Sequence, residues 1–174
     1  MLKNHLPSFN KTHACWFGLS LVIIVLDQIT KIAADTYLTY HQPVPIIPFF
    51  NLTLAYNTGA AFSFLSDAGG WQRWFFTVLT IVISTVLVIW LLRLPREERW
   101  TAAALALILG GAIGNLMDRA IYGHVIDFLD VYYQHYHWPT FNVADSAITV
   151  GASILIISSL FTPKEISVKP DKHS

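Results

Sequence analysis

Cysteine and charge are both scarce in this sequence of 174 residues. The one cysteine, Cys15, excludes an intrachain disulfide and leaves the redox compartment open. Only 13% of the residues are Asp, Glu, Lys or Arg, well below the roughly 25% of a typical soluble domain. The formal net charge is zero, so the composition predicts no basic surface for nucleic acid. The length predicts a single domain, 1–174.

Apolar residues make up 54% of the chain and are concentrated in four long stretches. A membrane-spanning helix needs about 20 apolar residues, because the hydrocarbon layer is ~30 Å thick and a helix rises ~1.5 Å per residue. Four transmembrane helices are therefore predicted at about 16–34, 75–92, 100–117 and 144–161. The first is too long for the apolar part of a signal peptide, and Asp27 and Lys31 stand where a cleavage site would be, so we expect it to be retained.

The distribution of Lys and Arg predicts the orientation of these helices. Eight of the eleven basic residues fall on one side of the membrane, in the N-terminal tail, the short turn between the second and third helices, and the C-terminal tail. The other three are Lys31, Arg73 and Arg119, and Arg73 is interpreted as an interfacial anchor. Both termini are therefore predicted to be cytoplasmic, with the two longer loops, about 35–74 and 119–142, outside.

Both outer loops carry strand signals. Phe50, Leu52, Leu54 and Tyr56 alternate with polar or small residues and are predicted to share one face of a strand. The run 124–132 is rich in residues that favour strands. The predicted fold class is thus a membrane all-α bundle of four transmembrane helices with a small extracytoplasmic β-sheet. Aromatic residues near the predicted membrane surface are expected to be interfacial anchors: Trp71, Trp74, Phe75, Phe76, Tyr132, Tyr133, Tyr136 and Trp138.

Several polar residues lie in or beside the apolar helices, where ionisable groups are costly and typically functional. Asp27, Asp118 and Asp145 are the carboxylates in such positions. Asn115 and Arg119 are four residues apart, so they share one helix face. A snorkelling side chain is the alternative interpretation of Arg119.

Asp127 and Asp145 could together carry out hydrolysis. Asp127 lies in an apolar run, which disfavours its ionised form, whereas Asp145 lies at a helix start, which favours it. Two such unequal carboxyl groups could share a proton, one activating water and the other protonating the product, as in aspartic proteases. Asn142 and Asp145 also fit a capping pair, so the spacing leaves both interpretations open.

Other chemistries have weaker signals. The sequence contains no H-E-x-x-H, G-x-S-x-G or Walker A motif. His124, His135 and His137 could suggest a metal site, but they lie in a tyrosine-rich loop without a nearby cysteine. We therefore expect neither a metal nor an organic cofactor.

The candidate site residues of the preceding paragraphs fall into five sequence blocks. With these blocks the chain resembles the lipoprotein signal peptidases (signal peptidase II) over nearly its whole length. The blocks are Asp27 to Lys31, Asn51 with Asn57 to Ser63, Gly110 to Arg119, Val125 to Phe128, and Phe141 to Ser146. Each block is weak alone, but five in the family's order on four predicted helices are specific. The tails 1–13 and 163–174 carry no part of the resemblance.

The resemblance implies an aspartic endopeptidase of the bacterial inner membrane that cuts prolipoproteins before the lipid-modified cysteine. It implies that Asp127 and Asp145 are the catalytic pair, near the outer face of the membrane. Residues that would line the site or support it are Asn57, Gly59, Asn115, Arg119, Asn142, Asp27, Lys31 and Asp118. It also implies a β-cradle outside the membrane, contact with membrane lipid and inhibition by globomycin.

Two other functions remain possible from the residues alone. A small proton-coupled transporter or channel component could use Asp27, Asp118 and Asp145 as a relay, although no inverted repeat is visible. A non-catalytic membrane assembly factor would leave Asp127 dispensable.

Overall fold

The computed structural model describes residues 11–59 and 70–161, with side chains from His13 onward. Some residues of the sequence analysis lie outside this part of the chain. They are residues 60–63 of the second motif block, Asp67, and the lysines of the two tails other than Lys11. Four helices account for most of the described residues: α1 Lys11–Tyr37, α2 Trp71–Arg93, α3 Arg99–Ile121 and α4 Val143–Phe161. Each is long and apolar enough to cross a membrane, so the predicted fold class is confirmed.

The third helix is the centre of the bundle, in contact with each of the other three. Small residues permit this arrangement because they let helix backbones approach closely. At Gly110 a β-carbon would lie 2.8 Å from the backbone oxygen of Ser20, and at Gly114 it would lie 2.5 Å from Asp27 Oδ2. Alanine at either position would therefore push α1 away from α3.

An apolar cluster joins the C-terminal part of α2 to the N-terminal half of α3. Leu87 and Leu91 of α2 pack against Ala102, Leu105 and Leu109 of α3. The outward faces of the helices remain apolar and exposed, as at Leu21 and Ile29 of α1. Lipid rather than protein is the natural neighbour of such faces.

The outer loops form one antiparallel sheet in the order β1-β2-β3-β4. Its strands are β1 Val44–Ile47, β2 Phe50–Asn57, β3 Val125–Tyr133 and β4 Tyr136–His137. In the β2–β3 pairing Ala55 lies opposite Asp127 and Asn57 opposite Val125. The strands predicted at 50–57 and 124–132 are thus present and adjacent, whereas β1 and β4 were not predicted.

The predicted alternation along β2 is wrong in its second half. A register shift between Leu52 and Ala55 interrupts the pairing with β3. Asn51 and Leu54 are consequently buried, while Tyr56 is exposed. An extra residue on one strand reverses the alternation of side chains beyond it, so the four residues cannot share one face.

Three helices extend well beyond the predicted apolar stretches. The first covers 11–37 instead of 16–34, the second begins at Trp71, and the third continues to Ile121. Residues 119–121 of the predicted second loop are therefore helical, and Arg119 lies in the last turn of α3. Hydropathy marks only the apolar part of a helix, whereas backbone hydrogen bonding continues through the polar residues at its ends.

Candidate active site

Asp127 is placed by the sheet and is 2% exposed. Asn57 lies diagonally across from it on β2, in a position where side chains of paired strands meet. Asn57 Nδ2 donates to Asp127 Oδ2 at 3.2 Å, and Asn142 Nδ2 donates to Asp127 Oδ1 at 2.7 Å. Both carboxyl oxygens of Asp127 therefore accept an amide hydrogen.

Asp145 lies in the first turn of α4. Its backbone N–H donates to Asn142 Oδ1 at 2.8 Å, which is the predicted cap of the helix start. Its own carboxylate does not complete a reciprocal capping box, because Oδ1 accepts from Asn115 Nδ2 at 2.8 Å instead. Capping is therefore one of the roles of Asn142, and the Asp145 carboxylate faces α3.

Asn142 joins the two aspartates. It is fully buried; its amide nitrogen contacts Asp127 and its amide oxygen contacts the backbone of Asp145. Asn115 closes the arrangement from α3, since its Oδ1 accepts from Asn142 Nδ2 at 3.2 Å while its Nδ2 reaches Asp145. Asp127 and Asp145, separated by 18 positions in the sequence, thus share one amide network.

The electrostatic setting disfavours two negative charges in this network. Burial raises the pKa of Asp127 to about 7, and the nearby Asp145 carboxylate adds to the increase. Hydrogen bonds from Asn57 and Asn142, together with the charge of Lys31, act in the opposite direction. A carboxyl group of this kind can hold a proton near neutral pH and release it to a reacting group.

Arg119 approaches the network from the last turn of α3. One guanidinium nitrogen donates to the carbonyl of Gly59 at 2.8 Å, and the guanidinium carbon lies 5.4 Å from the centre of the Phe76 ring. Gly59 N–H in turn donates to Asn57 Oδ1 at 3.0 Å. Arg119 Nε is buried without a hydrogen-bond partner among the described residues. Arg119 therefore anchors the chain after β2 and retains a free donor.

Lys31, Asp27 and Asp118 form a second polar cluster beside the first. Lys31 Nζ lies 2.8 Å from Asp27 Oδ2 and 2.8 Å from Asp118 Oδ2. It also donates to Asn115 Oδ1 at 2.8 Å, which connects this cluster to the two aspartates described above. Gln28, which the sequence placed in a motif without a role, donates to Asp118 Oδ1 at 2.9 Å.

Every residue expected at the site from the sequence is therefore brought into one connected region. Two further residues belong to it although the sequence suggested only interfacial anchoring. Phe76 packs on Arg119, and Arg73 donates to the backbone carbonyls of Arg119 and Ala120 at 2.9 and 2.7 Å. The interpretation of Arg73 as an anchor was incomplete, because a helix C-terminus leaves carbonyls that a nearby cation can satisfy.

The histidines of the second loop do not converge. His124 packs against Tyr56 with ring centres 4.5 Å apart, while His137 Nδ1 contacts Asp130 Oδ1 at 2.8 Å. Burial lowers the pKa of His124. Within the described ranges no three His, Cys, Asp or Glu side chains are grouped as metal ligands would be. The geometry offers acid–base chemistry between two carboxyl groups.

Comparison with known proteins shows what the chain is similar to. A family model described as signal peptidase (SPase) II matches residues 19–161. A lipoprotein signal peptidase of Acinetobacter baumannii is 55% identical over 163 residues, covering 94% of this chain and 93% of the relative. One of Pseudomonas putida is 56% identical over 151 residues, covering 86% and 88%.

Two solved structures of bacterial membrane enzymes have a similar fold. A bacterial membrane enzyme determined by the in meso method at 2.3 Å superposes with a TM-score of 0.77 and 32% sequence identity, covering 98% of each chain. A second, determined at 1.9 Å, gives a TM-score of 0.76 at 30% identity and covers 92% of this chain and all of the other.

Proposed function

The chain belongs to the signal peptidase II family, and from this premise we propose that it is an aspartic endopeptidase that cuts prolipoproteins immediately before a diacylglyceryl-modified cysteine. The family and its relatives make it a peptidase of a bacterial membrane with several spans. The observation that carries the aspartic mechanism is the Asn142 bridge, which holds Asp127 and Asp145 in one buried network.

In the proposed reaction a water molecule lies between the two carboxyl groups. The ionised aspartate accepts a proton from this water, whose oxygen attacks the carbonyl carbon of the scissile peptide bond. The protonated aspartate donates its proton to the carbonyl oxygen. Breakdown of the tetrahedral species breaks the C–N bond, with a proton passing to the leaving amine. The products are the carboxylate of the signal peptide and the free amino group of the cysteine.

Arg119 and β2 are proposed to position the substrate. The free Nε–H of Arg119 can donate to a peptide carbonyl, and its guanidinium stays charged at any relevant pH. An extended peptide can run beside residues 55–57, the part of β2 beyond its pairing with β1 and Tyr40, where backbone hydrogen bonds hold a strand without reading its side chains. The diacylglyceryl chains would stay among membrane lipid. Globomycin would inhibit the enzyme by binding in place of the substrate peptide.

The transporter hypothesis loses its relay in this arrangement. Asp27 and Asp118 both pair with Lys31 at 2.8 Å, so neither is a free carrier of protons.

The direct test uses detergent-purified protein and a diacylglyceryl-modified prolipoprotein. A shift to the smaller product on a gel, with the new N-terminus at the lipid-modified cysteine, is the expected result. Unmodified prolipoprotein is the control and should not be cut. No cleavage of the modified substrate by active-site-intact protein would reject the proposal.

We also propose that the protein lies in the inner membrane with both termini cytoplasmic and the aspartates near the outer face. The eight-to-three division of Lys and Arg supports this orientation. Reporter fusions after Lys11, Asp67, Arg96, Tyr133 and Lys169 should read inside, outside, inside, outside and inside. A cytoplasmic signal at Asp67 would overturn it.

A further inference from the structure

A lysine is buried in an apolar helix next to the catalytic pair, and the proposed reaction does not use it. Lys31 is 1% exposed and lies in α1, with the side chain directed at α3. An ammonium group has three hydrogens and no acceptor. The three acceptors around Lys31 are Asp27 Oδ2, Asp118 Oδ2 and Asn115 Oδ1, each at 2.8 Å. Its hydrogen-bonding capacity is therefore fully used.

The two carboxylates that hold Lys31 each reach a backbone position next to a catalytic aspartate. Asp27 Oδ1 accepts the N–H of Ala144, the residue before Asp145, at 2.8 Å. Asp118 Oδ2 accepts the N–H of Ile126, the residue before Asp127, at 3.2 Å. One ammonium group thus links the start of α4 to β3 through two carboxylates.

The third contact of Lys31 fixes the orientation of an amide. Because the ammonium can only donate, the Asn115 atom that faces it must be the oxygen. Asn115 Nδ2 must then point to Asp145 Oδ1, which it reaches at 2.8 Å. Rotating this amide by half a turn would place its nitrogen against Lys31 and its oxygen against the Asp145 carboxylate, losing both hydrogen bonds.

We propose that Lys31 is a positioning residue for the catalytic pair: through Asp27, Asp118 and Asn115 it fixes the separation of Asp127 and Asp145 and the amide that contacts Asp145. The inference rests on the proposed function. It gives Asp27, Lys31 and Asp118, whose roles the sequence left open, one shared task that is distinct from substrate contact.

The charge of Lys31 adds a second effect. The charged groups around the catalytic pair are Lys31 and Asp27 from α1, Asp118 and Arg119 from α3, and the aspartates themselves. The positive charge of Lys31 lowers the pKa of Asp127. Its removal should therefore raise that pKa and move the pH–rate profile to higher pH, which a purely structural residue would not do.

The test compares Lys31→Met with Thr36→Ala, a control on the same helix whose hydroxyl contacts only the carbonyl of Ile32. For protein quantified in the membrane, Lys31→Met should lower kcat by about 100-fold, the scale expected when catalytic groups shift by about 1 Å. KM should change little, and Thr36→Ala should match the unsubstituted protein. In an Asn115→Ala background, Lys31→Met should have a smaller further effect, because only the links through Asp27 and Asp118 remain to be lost.

Loss of the ammonium also leaves two buried carboxylates unpaired, so the single variant could fail to accumulate. Lys31→Met with Asp118→Asn restores the net charge of the cluster and leaves an amide oxygen for the Ile126 N–H. This double variant should fold but remain slow. The proposal would be overturned if the double variant regained the unsubstituted kcat, or if neither variant accumulated. It would also be overturned if Lys31→Met lowered kcat by less than about threefold or left the pH–rate profile unchanged.

The proposed function and this inference can fail separately. If the unsubstituted protein does not cut the prolipoprotein, the proposed function fails. Carbon-13 spectra of aspartate-labelled protein, with Asp127→Asn for assignment, would then still decide the inference. Lys31→Met should shift the Asp127 titration to higher pH, and an unshifted titration would reject the link.

Discussion

Two pairs of aspartates lie side by side in this protein, and they differ in what neutralises them. Asp27 and Asp118 share the ammonium of Lys31. Asp127 and Asp145 receive only amide hydrogens from asparagines, and in the described part of the chain neither forms an ion pair. The first pair is therefore bound to a cation, whereas in the proposed function the second pair exchanges a proton. In the proposed function, the counterion distinguishes a structural carboxylate pair from a reactive one.

This contrast predicts that an Asp→Asn substitution abolishes activity in one pair and lowers stability in the other. The largest effect on activity is expected at Asp127 and Asp145. Asp127→Asn and Asp145→Asn should each abolish cleavage, since an amide can neither accept the proton of water nor return it. Both variants should accumulate normally, because the amide keeps the shape of the carboxyl group. Cleavage rates per membrane-inserted molecule test this. A variant that retains more than about a tenth of the rate, only ~1.4 kcal/mol of barrier, would remove that aspartate from the chemistry.

Asp27→Asn should instead act on stability. It takes one charge from a buried ion pair, a change that typically costs about 3–5 kcal/mol. Thermal unfolding in detergent should show a clearly lower midpoint, and Asp118→Asn should behave similarly. Asp145→Asn is the matched control, since it removes a carboxylate without a counterion. If Asp145→Asn destabilises the protein as much as Asp27→Asn does, the distinction between the two pairs fails.

Arg119 lies in the network around Asp127 and Asp145 and forms no ion pair with a carboxylate among the described residues. Arg119→Ala should lower the cleavage rate by about 100-fold, the scale for loss of one positioned donor. Arg119→Lys should lose less, because it keeps the charge but not the planar fork that reaches Gly59 and a substrate together.

Arg73 cannot serve as the control for Arg119, because it holds the last carbonyls of α3. Arg93, exposed at the other end of α2, can do so, and Arg93→Ala should retain most activity. Equal rates for Arg119→Ala and Arg93→Ala would mean that Arg119 only snorkels.

The sequence was sufficient for the fold class, but it could not separate the two pairs of aspartates. The four helices follow from length and hydropathy, and the paired strands from their residue types. The register shift in β2 was not predictable, because one extra residue leaves the local pattern of 50–57 almost unchanged.

The same limit applies to the site. The family motifs suggested Asp27, Lys31 and Asp118 as supporting residues but assigned them no specific role. The acceptors that surround the Lys31 ammonium group depend on how α1, α3 and α4 pack together. The local sequence does not encode that packing. Arg73 was misjudged for the same reason, since its partners are carbonyls 46 and 47 positions away.

The smallest effect concerns stability against pH, and it follows from the raised pKa of Asp127. In the unfolded chain this carboxyl group ionises near pH 4, whereas in the folded protein its pKa is about 7. Between these values the folded protein holds a proton that the unfolded chain has released, so stability falls as pH rises through this window. Asp127→Asn has no such proton.

The unfolding midpoint of the unsubstituted protein should therefore fall relative to that of Asp127→Asn as pH rises from about 4 to 7. Groups present in both proteins cancel in this difference. The relative change should be at least about 4 °C, since one kcal/mol moves the midpoint of a chain of this size by roughly 2–4 °C. Parallel midpoint curves would mean that Asp127 ionises as an ordinary carboxylate. The two pairs would then differ in their partners but not in their protonation, and the proton for the carbonyl oxygen would have to come from Asp145.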